Sequence, residues 1–123
     1  MRGMILIVHG SRDPKWRNVF GTFMEKVTAA LPGQAVILAF MELASPTLEE
    51  AVVQLIESGC NEIEVLPLFM ADGGHVDHDI PAQIRDTRVK FPSVVLNQLP
   101  PVGKHPAVQA AMIQIIQTAL QTR

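Results

Sequence analysis

Four short apolar runs alternate along the chain with four longer stretches in which apolar residues recur every three or four positions. The runs lie at 4–8, 35–40, 62–68 and 93–97, and they are close to continuous. Runs of that kind suit strands covered on both faces. The longer stretches carry helix starts. Asp13-Pro14 reads as an N-cap followed by proline at the first helical position. Behind it Val19, Phe20, Phe23, Met24 and Val27 share one face, and Leu31-Pro32-Gly33 ends the helix. Ser45-Pro46 repeats the signal, with Glu49 and Glu50 near the positive end of the helix dipole, Leu48, Val52, Leu55 and Ile56 as the buried stripe, and Gly59 as the stop. A third helix is expected to begin within 76–79 and to carry Pro81 in its first turn, where a missing N–H costs little. The fourth is expected over 106–120, with Val108, Met112, Ile115, Ile116 and Leu120 facing inward.

Strand and helix in strict alternation predict an α/β fold. Right-handed crossovers leave few topologies. The favoured one is a flavodoxin-like four-stranded parallel sheet of order 2-1-3-4 with helices on both faces. No linker, low-complexity tract or charge block divides the chain, so 1–123 is expected to form one domain. Ligands of such sheets sit beyond the carboxyl ends of the strands, at the switch point between strands 1 and 3. Strand 1 delivers His9, Gly10, Ser11 and Arg12 to that edge, and strand 2 delivers Glu42. Strand 3 delivers Met70, Asp72, Gly73, Gly74 and His75, and strand 4 delivers Pro100, Pro101 and Val102. There is also an internal echo: His9 stands four residues before Asp13, and His75 four before Asp79. Strand–loop–helix grammar produces that spacing as readily as function does.

Composition narrows the classes. Apolar residues make up 48% of the chain, enough for a core without disulfides, and Cys60 has no intrachain partner. The formal net charge of −2 and the lack of a basic run argue against a nucleic-acid partner. No apolar stretch is long enough to span a membrane, and the apolar start lacks the features of a secretory signal, so a cytoplasmic protein is expected. A single small domain leaves little room for a deep pocket, so a large ligand would call for two subunits.

Two histidines flanking one crevice, with a carboxylate nearby, are the informative combination. Either histidine alone could simply bond a backbone carbonyl. Gly10 allows close approach of a ligand, and Ser11 and Arg12 offer anion-binding groups at a helix start. Neutral imidazoles bind divalent first-row ions, and two of them leave positions open for water or substrate. Imidazole also exchanges protons near neutral pH. Glu42 is a candidate ligand or proton acceptor, or else a partner for Arg12. His78 is expected exposed, His105 at a cap or on the surface, Cys60 as a buried or edge thiol without a catalytic role, and Met41 and Met70 as an apolar floor. Trp16 is expected either over the crevice or at a subunit contact.

These residues resemble a known family. Ile5-Leu6-Ile7-Val8-His9-Gly10-Ser11-Arg12, Met41-Glu42-Leu43-Ala44-Ser45-Pro46-Thr47-Leu48, and the long segment from Leu66-Pro67-Leu68-Phe69-Met70-Ala71-Asp72-Gly73-Gly74-His75 to Val76-Asp77-His78-Asp79-Ile80-Pro81 occur in order. Together they resemble the small sirohydrochlorin chelatases of the CbiX type, relatives of the class II chelatases. The resemblance covers essentially the whole chain. It implies a chelatase-type fold, His9 and His75 as metal-binding and catalytic pair, and Glu42 as the recurrent acidic residue. It also implies a homodimer and an anionic tetrapyrrole substrate, sirohydrochlorin. Ser11, Arg12, Gly73 and Gly74 are expected to help bind that substrate, and Arg12, Lys15, Arg85, Arg88 and Lys104 are candidates to meet its carboxylates, each being by default an ordinary surface charge. Asp72 and His78 depart modestly from the pattern.

The activity expected is insertion of a divalent metal into sirohydrochlorin without ATP, with no permanently bound cofactor. Co²⁺ in cobalamin synthesis comes first, on the resemblance alone; Fe²⁺ for sirohaem and Ni²⁺ are alternatives, as is a carrier without catalysis. No G-x-x-x-x-G-K-[ST] loop is present to bind ATP. A histidine phosphatase would place Arg immediately before His-Gly, where Val8 stands, and the first loop lacks a phosphate cradle for FMN.

Overall fold

A computed structural model describes residues 1–122. β1 (Arg2–Val8), α1 (Pro14–Ala30), β2 (Ala35–Phe40), α2 (Leu48–Glu57) and β3 (Glu62–Pro67) follow in order. A π-helical turn (His75–Asp79) then runs directly into α3 (Ile80–Lys90), followed by β4 (Val95–Gln98), a 3₁₀ turn (Val102–Lys104) and α4 (Pro106–Gln121). The sheet has order β2-β1-β3-β4, and every pair is parallel. Both the topology and the flavodoxin-like order match the expectation from sequence. β4 starts later than its apolar run because Val94 N–H closes a turn on Phe91 O at 3.1 Å.

One face of the sheet is closed. Ile5, Ile7, Ala39, Ile63, Val65 and Leu96 lie beneath Leu48, Val52 and Leu55 of α2 and Ile80 and Ile84 of α3, in one buried cluster. Each such side chain contributes roughly 1.5–3 kcal/mol by leaving water. α2 forms where its sequence signals it. Thr47 Oγ1 accepts from Glu50 N–H at 3.2 Å, and the Glu50 carboxylate accepts from Thr47 N–H at 2.8 Å, a reciprocal capping box. Cys60 is buried here, as expected.

The other face is only partly covered. α1 lies over it through half-buried Trp16, Phe20, Met24 and Val27, yet no residue of α1 is buried. Val19 and Phe23, expected on its inner face, are 66% and 42% exposed. Trp16 packs within its own chain, its ring 4.7 Å from Phe20 and 6.0 Å from Phe40. α4 departs further from expectation. Val108 and Met112 are half-buried, while Ile115, Ile116 and Leu120 are exposed. The cause is the connection before it. Pro100-Pro101 is stiff, Gly103 N–H bonds Phe69 O at 3.0 Å, and a Cβ on Gly103 would lie 2.1 Å from Met70 O. The 3₁₀ turn is thereby locked to the β3 end, and α4 packs mainly on that turn.

Candidate functional site

β1 and β2 end in register, with Val8 beside Phe40. Their pairing continues one step further: Met41 N–H donates to Val8 O at 2.9 Å and Glu42 N–H to His9 O at 3.1 Å. His9 is therefore fixed by backbone, as an extra rung of the sheet. Gly10 makes the approach possible. Its φ is +115°, and a Cβ there would sit 1.8 Å from the Glu42 carbonyl oxygen. Only glycine fits that conformation and that space. Leu43 also has positive φ, at 64°, so the backbone is strained where the chain turns away behind Glu42.

The His9 ring has two different partners. Nδ1 lies 3.1 Å from Gly10 O, and since a carbonyl can only accept, Nδ1 carries the hydrogen. Nε2 lies 3.1 Å from Glu42 Oε1. In a neutral imidazole that nitrogen presents a lone pair, which a carboxylate oxygen repels unless a cation is shared between them. That cation is a proton or a metal ion. For bonds of about 2.1 Å, donors so spaced subtend roughly a right angle at a first-row ion, as neighbouring ligands do.

His75 arrives differently. It opens the π turn, a wide helical form often found at functional sites. Its Nδ1 lies 2.7 Å from Asp79 Oδ2, four residues on. The carboxylate accepts, which leaves Nε2 with the free lone pair. Such carboxylate–histidine pairs orient imidazole toward metals. The His75 ring meets His9 edge-on, centroids 4.8 Å apart at 64°. Its other neighbour is Phe69, stacked at 6.0 Å and 28°. Gln83 Nε2 donates to Met41 O at 3.1 Å, tying α3 to the segment just after β2, and Gln98 Nε2 donates to Val76 O at 2.9 Å, tying the π turn to β4. A depression of about 320 Å³ opens beside the histidines, lined by Met41, Glu42, His75, Asp79, Ala82 and Gln83. The side chains of His9, Glu42 and His75 are 42%, 55% and 47% exposed, so solvent and ligand reach them. The described residues hold no closed cluster of three or more His, Cys, Asp or Glu donors.

Comparison with known proteins gives the geometry a setting. The sequence model of the CbiX family matches residues 3–119. The chain belongs to the CbiX family. A sirohydrochlorin cobaltochelatase of Sulfolobus acidocaldarius is 32% identical over 103 residues, covering 84% of this chain and 80% of that protein. Another from Methanopyrus kandleri is 40% identical over 84 residues, 68% of this chain and 59% of its own length. Among solved structures, a putative cobalamin biosynthesis CbiX protein from Marinobacter aquaeolei superimposes with a TM-score of 0.86 at 30% identity, covering 98% of each chain. The sirohydrochlorin chelatase SirB of Bacillus subtilis, in complex with cobalt, gives 0.82 at 26% identity, and the match covers 95% of this chain but 50% of SirB.

Within this CbiX-family domain, the edge residues named from sequence divide into engaged and open. Glu42 pairs with His9 and not with Arg12. Ser11 Oγ accepts from Asp13 N–H at 3.0 Å, and Asp13 caps α1 through Lys15 N–H at 2.9 Å, so the serine holds its own turn. Arg12 is exposed on that loop. Gly73 and Gly74 face open space, and Gly74 already has helical angles, so neither is needed as glycine for backbone reasons. Asp72 is held by Lys104 at 2.6 Å, and that contact raises the lysine's pKa. Arg88 is turned inward to Leu96 O. His78 is exposed, and His105 caps α4 by accepting from Ala107 N–H at 3.0 Å, both as expected. Met41 lines the depression, but Met70 is 59% exposed and forms no floor. Asp79, Phe69 and Gln83 belong to the site and were not singled out from sequence. The four-residue step from His75 to Asp79 was the available signal.

Proposed function

We propose that this protein inserts a divalent metal ion, Co²⁺ first, into sirohydrochlorin without ATP, as a cytoplasmic step of cobalamin synthesis. The observation that carries the reading is the His9 Nε2–Glu42 Oε1 pair at 3.1 Å, with the His75 ring beside it. It is a place built for one cation, and it is open to solvent. Relatives that are named sirohydrochlorin cobaltochelatases support the substrate and the metal.

In this reading the metal is a substrate. His9 and His75 hold it on the open edge through their Nε2 atoms, while solvent and then pyrrole nitrogens fill its remaining positions. Each insertion forms new metal–nitrogen bonds and frees two pyrrole protons. As the metal leaves His9, the first proton goes to the freed Nε2, where Glu42 Oε1 shares it, and both protons then leave to water. Asp79 keeps the His75 ring in the tautomer that binds. Ser11, Arg12 and the backbone around Gly73 and Gly74 flank the anionic rim of the macrocycle, with no cofactor of the protein's own. A shallow depression of about 320 Å³ is small for a tetrapyrrole. The chain spans half of SirB, which supports a homodimer as the working unit.

Anaerobic insertion into sirohydrochlorin, followed by absorbance with Co²⁺, Fe²⁺ and Ni²⁺ in parallel, tests this. Many turnovers above the protein-free rate are expected, fastest with Co²⁺. A different fastest ion would reassign the pathway. A single metallated product per site would make the protein a carrier.

A further inference from the structure

The face of β4 that packs under α3 ends on a polar residue. Leu96 lies in the buried cluster with Ile80 and Ile84 of α3. Side chains alternate along a strand, so Gln98, two residues on, faces the same side. Its place is fixed: Gln98 pairs with Val65 across the ladder, and Leu99 N–H donates to Val65 O at 2.8 Å. A half-buried amide at the rim of a core is costly unless it is bonded. Gln98 donates through Nε2 to Val76 O at 2.9 Å.

Val76 O is a carbonyl inside a helical turn, where a backbone N–H ordinarily takes it. Two residues stand at the right spacing. Ile80 is four residues on, an α step, and Pro81 is five residues on, a π step. Ile80 N–H is bonded to His75 O instead. Pro81 has no N–H to give. Val76 is also the buried residue of the turn, 6% exposed, so water is a poor substitute. The carbonyl is left to Gln98.

This bond discriminates between two registers of the turn. In an α register Ile80 N–H would take Val76 O, and the Gln98 amide would lose its acceptor. In the π register Ile80 N–H reaches one residue further back, to His75 O, and Gln98 satisfies the carbonyl that it passes over. Asp77 N–H still steps four residues back, to Gly73 O at 2.7 Å, so the widening begins after that bond. It falls on the stretch that carries His75 and Asp79, whose side chains pair at 2.7 Å. A slip to the α register would turn these two about the helix axis and move the His75 ring relative to His9, whose centroid is 4.8 Å away.

We propose that Gln98 is a positioning residue for metal insertion: its side-chain amide replaces the N–H that Pro81 lacks, holds residues 75–79 in the π register and so sets the place of His75. It acts through the Val76 backbone and touches neither metal nor macrocycle. The effect on rate rests on the proposed function, whereas the effect on register does not.

Two variants of the full-length chain test it. Gln98→Met keeps the length of the side chain without a donor. Gln98→Glu keeps its shape and sets an acceptor against an acceptor. Circular dichroism confirms folding, and if Gln98→Glu does not fold, Gln98→Met decides alone. The first readout is scalar coupling across hydrogen bonds, measured by NMR on metal-free protein. In the wild type Ile80 N–H should couple to the His75 carbonyl, and in the variants to the Val76 carbonyl, with the His75 ring resonances moving as well. Coupling to His75 retained in the variants would overturn the proposal. The second readout is Co²⁺ insertion, where kcat should fall about 10-fold, as for other groups that orient a metal-binding histidine from outside the ligand set. KM for sirohydrochlorin should stay in place, and the loss should be larger in Gln98→Glu. A slipped register with undiminished kcat would overturn the positioning role, as would a rate loss carried by KM alone. If the wild type itself inserts no metal, the chelatase reading fails, and the couplings still decide whether Gln98 holds the register.

Discussion

His9 and His75 meet at one edge by opposite means. His9 is a backbone residue in effect, a further rung between β1 and β2, with Gly10 pressed against the Glu42 carbonyl. Its position costs no side-chain partner, which frees Nε2 to face a carboxylate. His75 stands on a π turn beyond an open loop, and its ring is oriented by a side chain, Asp79, at 2.7 Å. The difference teaches a division of labour. In the proposed function, the fixed histidine shares its cation with Glu42 and handles protons and metal together, while the tuned histidine supplies a second donor. Each prediction below separates the two.

Removing the rings acts hardest. His9→Ala is expected to lower kcat/KM for insertion by about 10³-fold, in the range for loss of a positioned acid–base group. His75→Ala should cost less, about 10²-fold, because Glu42 and His9 remain. Circular dichroism should be unchanged in both, since both side chains are about half exposed. Equal rates in wild type and both variants would break the comparison entirely.

Gly10→Ala attacks the means by which His9 is held. The new Cβ would need a left-handed φ and would collide with Glu42 O. Strain and overpacking together should destabilise the fold by roughly 3 kcal/mol, read from denaturant midpoints at constant slope. Gly74→Ala is the matched control on the other side. Its Cβ meets nothing and its angles are helical, so stability should hold or rise slightly. Similar losses for both would show that His9 is no more rigidly placed than His75.

Asp79→Asn addresses the tuning of His75. The fold should survive, because the carboxylate is 54% exposed. Co²⁺ affinity or insertion rate should fall about 10- to 100-fold, as for other oriented metal-binding histidines. A double variant with His75→Ala should show no further loss, since Asp79 acts through the ring. A loss in the His75→Ala background would mean that Asp79 contacts the metal or the macrocycle itself.

The two histidines were also unequally legible. His9 and Glu42 could be placed from sequence, because nearly continuous β-branched runs fix where parallel strands end, and strand ends fix the edge. His75 could be assigned to the same edge, but its partner could not. Asp79 reads equally well as a helix start, and a π turn has no periodicity of its own to read. The His9–Asp13 echo looks identical in sequence, yet Asp13 caps α1 through Lys15 N–H and leaves the ring alone. The stripe on α4 reads in the sequence as a buried face, yet Ile115, Ile116 and Leu120 are exposed. That limit is physical: hydrophobic periodicity encodes burial, and a helix's exit direction depends on tertiary locks such as Gly103 against Met70.

The smallest effect expected is on the loop that carries Glu42. Glu50 is exposed, but its pKa is lowered from 4.5, first by the Thr47 backbone N–H and then by the Ser45 hydroxyl. A carboxylate depressed in the folded state stabilises above its unfolded pKa and loses that contribution as pH falls through the folded value. The wild type should therefore melt slightly above Glu50→Ala at neutral pH, by a few degrees at most. The gap should close as pH drops below 4.5 and the carboxylate fills with protons. The box joins residues 45–50, directly behind Glu42, whereas the His75–Asp79 turn has no bond to it. Imidazole resonances of His9 should thus shift between wild type and Glu50→Ala while those of His75 stay in place. Equal movement of both would mean that Gln83, bridging α3 to Met41 O, couples the two histidines into one rigid unit.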